Sequence, residues 1–349
     1  MSDMLEDFAF PVRRMYSSDA SSSTIFEAFY VKELNAKKIK KLDPVIIEGI
    51  SMNHCLLDVS YIPEKSTTEI LKNFPFLLGS VEKINRSKKI VFGKPKIMGI
   101  ANATPDSFFP DSRISSTRDL DRLIDLKPDV IDVGGESTRP GSKEISVESE
   151  ISRLRPYIEY LYTTSNIPLS LDTRHPETAK KFAQYISFLN DISGFTNNDM
   201  VQVALDNRIK CIVMHMRGTP ENMQDQTVYS DIVPEVISFL HKQARNLLEA
   251  GISTDDIIVD PGIGFGKDIN GNLSILHDIK SFEFGPDLLV GTSRKGFLGK
   301  ITGEDVTGRL PGTIATSIYL AQNHVDYLRV HDVKENRDAI EVMEKMYLE

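Results

Sequence analysis

The sequence predicts an α/β protein whose larger part is a (β/α)8 TIM barrel, preceded by a small α+β domain. Short apolar, β-branched runs recur from about residue 95 onward, and most of them lead through a polar loop into helix-like sequence. Eight such runs fit into about 250 residues, which is the usual size of a TIM barrel. The alternative is an open doubly wound sheet, but we find no GxGxxG motif after the first strand.

The eight predicted strands are short and apolar on both sides, as expected for strands that are buried on both faces. They cover residues 97–101, 130–134, 169–172, 188–192, 211–216, 257–260, 288–291 and 327–330. The intervening segments mostly have helical spacing of apolar residues, clearest at 179–183 and 237–250. Gly251 follows the second of these segments and is a plausible C-terminal cap.

Residues 1–90 differ from the rest and are predicted to form the small α+β domain, whose role the sequence does not reveal. They contain a serine-rich patch, a basic helical stretch at 37–41 and an apolar, strand-like run at 45–59. A helix is predicted from Ser66, and the polar segment 85–89 is interpreted as the linker. The catalytic domain is then expected to cover residues 95–349.

Composition limits the classes of partner. The chain has 349 residues, of which 40% are hydrophobic and 26% charged, as in ordinary globular proteins. Its net charge of −9 argues against non-specific binding to nucleic acid or to an anionic membrane. We find neither a run of about 18 apolar residues nor a signal-peptide core, so we expect a cytoplasmic protein. Cys55 and Cys211 are interpreted as reduced core residues rather than zinc ligands.

Polar residues gather where the predicted strands end, and in a parallel barrel these ends share the face that carries active sites. One group suits an anion: Thr138 and Arg139 follow strand two, and Arg329 and His331 end strand eight. The planar guanidinium of arginine matches phosphate oxygens. Asn102, at the end of strand one, offers an oxygen to a hard cation such as Mg²⁺. Together they suggest a diphosphate with its metal ion.

A second group can recognise a flat heterocycle by its edge. Asp172, Asn190 and Asp260 end three other strands, and Lys295 follows strand seven. A carboxylate accepts from paired N–H groups, and a lysine donates to a carbonyl oxygen or ring nitrogen. This combination favours an aminopyrimidinone over a sugar or an adenine.

From about residue 95 to its C-terminus the chain resembles the dihydropteroate synthase family. Eight motifs carry the resemblance, in order and at barrel spacing. They are IMGIANATPDSF (97–108), DVGGESTRPG (132–141), LDT (171–173), NDI (190–192), MHM (214–216), DPGIGFGK (260–267), SRK (293–295) and RVHD (329–332). The N-terminal 90 residues lie outside the resemblance.

The resemblance implies a transferase that joins 6-hydroxymethyl-7,8-dihydropterin diphosphate to p-aminobenzoate, uses Mg²⁺ and forms a homodimer. The residues implied to bind the pterin are Asp172, Asn190, Met214, Asp260, Phe265 and Lys295. Those implied to bind the diphosphate are Asn102, Thr138, Arg139, Arg329 and His331. The arylamine would contact Phe108, Pro140 and Lys295. The implied catalytic residues are Asp172, Lys295, Arg329 and His331, with Asn102 on the metal and Asp132 behind Asn102.

Three departures from the family pattern leave the arylamine open. The first loop contains Pro110 and lacks the expected glycines, Gly296 stands where serine is frequent, and an unfamiliar loop with Arg174 and His175 follows Asp172. Alternatives are therefore the same pterin transfer to a modified arylamine, a pterin-dependent methyltransferase barrel, or a non-catalytic barrel whose N-terminal domain binds a partner. A methyltransferase would not need a diphosphate-binding site, so the predicted anion-binding residues argue against this alternative. His215, within an apolar strand, is interpreted as a core histidine rather than a functional one.

Overall fold

The computed structural model describes residues 92–104 and 114–348, together with the backbone of four strands before residue 60. The predicted helix from Ser66, the basic stretch at 37–41, the linker at 85–89 and Phe108 in the first loop lie outside the described residues.

The four N-terminal strands form an antiparallel sheet in the order β1-β2-β4-β3. They are β1 (Ala9–Met15), β2 (Ile25–Tyr30), β3 (Ile46–Ser51) and β4 (His54–Val59). The single apolar run predicted at 45–59 is therefore two paired strands, with Ser51 opposite His54. The division of the chain into two domains near residue 95 is a proposal, supported by the change from antiparallel to parallel pairing.

Eight parallel strands form a closed barrel, which confirms the predicted fold. They are β5 (Lys96–Asn102), β6 (Val130–Gly134), β7 (Leu169–Asp172), β8 (Phe188–Asp191), β9 (Lys210–Met214), β10 (Ile257–Asp260), β11 (Asp287–Val290) and β12 (Tyr327–Val330). The last strand pairs with the first, with Arg329 beside Met98. The strand predicted at 211–216 ends earlier, at Met214, where the His215 carbonyl accepts instead from the Lys267 ammonium, 3.3 Å away.

Nine helices are described after the first barrel strand. They are α1 (Thr117–Asp125), α2 (Val147–Thr164), α3 (Pro176–Phe182), α4 (Asn198–Asn207), α5 (Ile232–Glu249), α6 (Ile269–His277), α7 (Gly296–Thr302), α8 (Leu310–Gln322) and α9 (Val333–Leu348). Short 3-10 turns cover Ala183–Tyr185, Met223–Asp225, Thr254–Asp256 and Ile279–Phe282. The helices predicted at 179–183 and 237–250 begin earlier, at Pro176 and Ile232. Each first turn contains a proline, which fits there because the missing N–H would have no partner within the helix. No described helix is long and apolar enough to cross a membrane.

Two apolar layers fix the barrel. The larger lies between strands and helices, and a smaller cluster fills the barrel interior; its members are Met98, Val130, Phe188, Ile212, Ile258, Leu289 and Tyr327. The Phe188 and Tyr327 rings meet edge to face, with centroids 6.3 Å apart. These side chains fill the barrel below the strand ends, so a ligand is expected to bind at the carboxyl-terminal face.

Candidate active site

A cavity of about 420 Å³ opens at this face. Nine of the predicted site residues line it: Asn102, Thr138, Arg139, Pro140, Asp172, Phe265, Lys295, Arg329 and His331. Asn190, Met214 and Asp260 are buried at the ends of their strands and are not among the residues that line the cavity. The barrel thus brings the predicted heterocycle-binding and anion-binding residues to one place.

Arg329 joins these two groups. Its Nε donates to Asp132 Oδ2 at 2.6 Å and its Nη2 donates to Asp172 Oδ2 at 2.7 Å. Asn190 Nδ2 donates to the same Asp132 oxygen at 3.3 Å. Asp132 anchors Arg329 and Asn190, a contact that strand pattern alone does not reveal, and its expected position behind Asn102 stays a prediction.

Burial sets the charge of this network. It raises the pKa of Asp172 to about 7, although the Arg329 guanidinium opposes the rise. Burial alone would lower the pKa of Arg329, but the Asp132 and Asp172 carboxylates raise it, so the arginine stays charged. Asp172 therefore changes between its neutral and ionised forms near neutral pH, while its partner does not.

The DPGIGFGK loop and Lys295 form the other wall. Asp260 Oδ1 accepts from the Gly262 N–H at 2.7 Å, and Lys295 Nζ donates to the Ile263 carbonyl while lying 4.5 Å from the centre of the Phe265 ring. Burial raises the pKa of Asp260, opposed by Lys295. Burial lowers the pKa of Lys295 to about 8, opposed by Asp260. A donor, an acceptor and an aromatic face therefore lie together, as a flat polar heterocycle requires.

Lys267 shapes this loop, a role that sequence reasoning missed. Its buried ammonium donates to the carbonyls of His215, Gly262 and Phe265 at 2.8–3.3 Å and lies 3.0 Å from His215 Nδ1. Gly262 has a φ of +66°, and a Cβ there would lie 2.0 Å from the His215 carbonyl oxygen. His215 thus serves the loop's structure, as its position within an apolar run suggested.

His331 and Ser293 follow two neighbouring strands, β12 and β11. The Ser293 hydroxyl lies 3.0 Å from His331 Nδ1 and accepts from the His331 backbone N–H at 3.2 Å. Burial lowers the pKa of His331 to about 3, helped by the charges of Arg329, Arg294 and Lys295. The imidazole is therefore neutral at pH 7 and offers an anion a hydrogen bond rather than a charge.

Arg294 braces the same two strand ends and was not predicted as a site residue. Its guanidinium binds both oxygens of Asp332, at 2.8 and 2.7 Å, and donates to the carbonyls of Val306 and Thr307. Its φ of +52° is unusual for a side-chain-bearing residue. The Arg294–Asp332 ion pair therefore fixes the backbone next to Lys295, which follows Arg294, and next to His331, which precedes Asp332.

The loop after β6 carries Thr138 and Arg139. Ser142 Oγ donates to the carbonyls of Ser137 and Arg139, at 2.6 and 2.8 Å. Gly141, at φ +80°, donates its N–H to the Pro220 carbonyl at 2.8 Å. The loop is thus closed on itself and tied to the loop after β9.

No group of three or more His, Cys, Asp or Glu side chains among the described residues is arranged to hold a metal ion. Asn102 lies half-buried at the end of β5 and lines the cavity. Such a site fits a hydrated ion that takes most of its ligands from a substrate and from water.

Comparison with known proteins agrees with this arrangement. Residues 98–331 match the family model described as pterin binding enzyme. The dihydropteroate synthase of Escherichia coli (strain K12) is 36% identical over 256 residues, covering 72% of this chain and 91% of the bacterial one. That of Clostridium beijerinckii is 37% identical over 251 residues, covering 70% and 91%.

Solved structures give the same result. The Yersinia pestis dihydropteroate synthase, solved as a sulfonamide drug complex, superposes with a TM-score of 0.70 at 32% identity, covering 73% of this chain and 95% of that chain. The Thermus thermophilus enzyme, solved with 4-aminobenzoate, superposes with a TM-score of 0.67 at 34% identity and the same coverage. With its closed barrel and the eight ordered motifs at the strand ends, the chain belongs to the pterin-binding enzymes and, within them, to the dihydropteroate synthases.

Proposed function

We propose that this dihydropteroate synthase joins 6-hydroxymethyl-7,8-dihydropterin diphosphate to p-aminobenzoate, releasing diphosphate and forming 7,8-dihydropteroate. One observation carries the proposal: residues suited to a heterocycle edge and residues suited to an anion line one cavity, joined by Arg329. Thermus thermophilus relatives were solved with 4-aminobenzoate and with 6HMPPP, which supports these substrate classes.

The pterin would lie between the two walls of the cavity. Asp172 would accept from its N–H groups, and Lys295 would donate to its carbonyl oxygen or ring nitrogen. Phe265 lines the cavity beside the Lys295 ammonium and would pack on the ring face. Asn190, Met214 and Asp260 are proposed to complete the pterin pocket from its buried end.

The diphosphate would meet Thr138 and Arg139 on one side and Arg329 and His331 on the other. Arg329 uses Nε and Nη2 for its two carboxylates. Among the described residues Nη1 makes no hydrogen bond or ion pair, and this group would reach a phosphate oxygen. We propose Asn102 as the protein ligand of Mg²⁺. When bound, the ion would offset charge on the leaving diphosphate.

The reaction then needs little help from a base. The C–O bond of the pterin methylene breaks, and its electron pair leaves with the diphosphate. Asp172 opposes the positive charge that develops on the pterin ring. The neutral arylamine attacks the methylene with its nitrogen lone pair to form the C–N bond, and the nitrogen then loses a proton to water or to the released diphosphate. Phe108, Pro140 and Lys295 are proposed to hold the arylamine.

A homodimer is proposed from the helices that surround the last three strands. Neighbouring helices expose apolar side chains: Leu273 on α6, Ile301 on α7, Tyr319 on α8, and Val342 and Met346 on α9. A second copy would cover this surface. Light scattering of the purified chain should give twice the monomer mass, and a monomer at micromolar concentration would contradict the proposal.

The cytoplasm is the proposed location of the protein.

The test of function is an amine panel. Purified protein, Mg²⁺ and the pterin diphosphate are incubated with p-aminobenzoate or with modified arylamines, and product mass and released diphosphate are measured. Dihydropteroate and an equal amount of diphosphate are expected with p-aminobenzoate. Product formed only with a modified arylamine would indicate that the enzyme makes the precursor of another pterin cofactor. Tight pterin binding without release of diphosphate would favour a non-catalytic barrel.

A further inference from the structure

The loop that carries Thr138 and Arg139 is held at its base by an ion-pair cluster outside the proposed substrate-binding set. Glu136, in this loop, accepts from Arg174 Nη2 at 2.8 Å and from His175 Nε2 at 3.0 Å. Arg174 and His175 follow β7, in the loop that departs from the family pattern. All three side chains are largely buried, so the cluster joins two strand-end loops away from bulk solvent.

Helix α2 supports both loops. The backbone N–H of His175 donates to Thr173 Oγ1 at 3.1 Å. The Thr173 hydroxyl in turn donates to the buried Glu150 carboxylate of α2 at 3.0 Å. Arg153 of the same helix donates to the Gly135 carbonyl at 3.1 Å. The backbone on either side of the ion pairs is therefore fixed to one rigid element.

Glu136 lines the same cavity as the proposed diphosphate-binding residues. An unpaired carboxylate there would repel an anionic substrate. Burial would raise the pKa of Glu136, but the hydrogen bonds from His175 and Arg174 hold it below its usual value. The ion pairs thus keep the carboxylate charge satisfied and turned toward two cations.

We propose that His175, together with Arg174, is a positioning residue for the diphosphate, because its ion pair with Glu136 fixes the loop that presents Thr138 and Arg139. The inference rests on the proposed function. It identifies the unfamiliar loop after β7 as a device that sets substrate affinity without touching the substrate.

The device depends on pH. Glu136 and Glu144 face His175 from the loop after β6, at 3.0 and 3.9 Å, Glu150 acts from α2, and Arg174 lies beside it. The hydrogen bond with Glu136 raises the pKa of His175. A group with a raised pKa is charged below it, so the cluster is complete at low pH and weakens as pH rises through that value.

The test compares the wild type with His175→Gln from about pH 6 to about pH 9.5. At the acid end the variant should raise the KM for the pterin diphosphate and weaken pyrophosphate binding by calorimetry, each about three- to tenfold, with kcat nearly unchanged. The KM ratio of variant to wild type should fall toward one as pH rises. His277→Gln, at an exposed histidine, is the matched control and should give a ratio of one throughout.

Two further variants decide the matter. Adding His175→Gln to Glu136→Gln should change KM no further, because the partner is already lost. If His175→Gln does not fold, His175→Lys should hold KM low across the whole range. A KM ratio of variant to wild type that stays at one at all pH values would overturn the inference. So would a kcat that falls by the same factor as KM rises. A wild type that binds pyrophosphate but makes no product would instead count against the proposed function.

Discussion

Replacing Arg329 with Ala is expected to weaken pyrophosphate binding about ten- to a hundredfold, since hydrogen bonds from a charged donor contribute roughly 1.5–3 kcal/mol each. The same change should lower the free energy of unfolding by about 3–5 kcal/mol, because removing one partner of a buried ion pair leaves an uncompensated charge. Here two carboxylates lose their partner: Asp132 has no exposed surface, and the Asp172 side chain is 9% exposed. Calorimetry and chemical denaturation measure the two effects.

The two effects respond differently to pH. Without the guanidinium the pKa of Asp172 rises further, so the carboxyl is neutral at and below pH 7, and the stability lost in Arg329→Ala should be larger at pH 9 than at pH 7 or below. Pyrophosphate affinity should not return, because the donor is gone. Arg122→Ala is the control, since that side chain is 81% exposed and lies on α1 away from the cavity. Wild-type pyrophosphate affinity in Arg329→Ala would remove this residue from the diphosphate site.

Strand and loop patterns predicted the barrel and its active face, because the two-sided apolar runs and the polar strand ends are local features. They also placed Asp172, Lys295 and Arg329 in one site. The pairing between them was not predictable: Arg329 lies 197 residues from Asp132, and only barrel closure brings β12 beside β5 and makes this contact possible.

Residues that shape loops were missed for a related reason. Lys267 resembles a solvent-exposed lysine in sequence, and its role depends on three carbonyls that turn inward together. Arg294 was not predicted as a site residue because the sequence analysis assigned the chemistry of this loop to Lys295. Its partner, Asp332, lies beyond the last strand. The charge state of His331 also follows from burial among cations, which sequence spacing cannot show.

Replacing Asp172 with Asn is expected to cut turnover about a hundred- to a thousandfold while weakening pterin binding roughly tenfold or less. The variant keeps the shape and one acceptor oxygen of the side chain, so ground-state contacts largely persist. It loses the negative charge that opposes the cationic pterin as the C–O bond breaks. Single-turnover rates and pterin binding measured by calorimetry separate the two quantities. Equal losses in both would contradict an electrostatic role in the transition state.

Dependence on pH gives an independent check of Asp172. Because its pKa in the free protein is about 7, wild-type kcat/KM should fall as pH decreases through 7, while the residual rate of Asp172→Asn should lack this limb. A carboxyl whose pKa is raised on folding costs stability as pH rises from about 4 to 7, and the amide avoids this cost. Arg329 also keeps its ion pair with Asp132 in this variant, so the melting temperature of Asp172→Asn at pH 7 should not fall, and lost turnover cannot be ascribed to unfolding. Asp125→Asn, at an exposed position on α1, should match the wild type in both profiles.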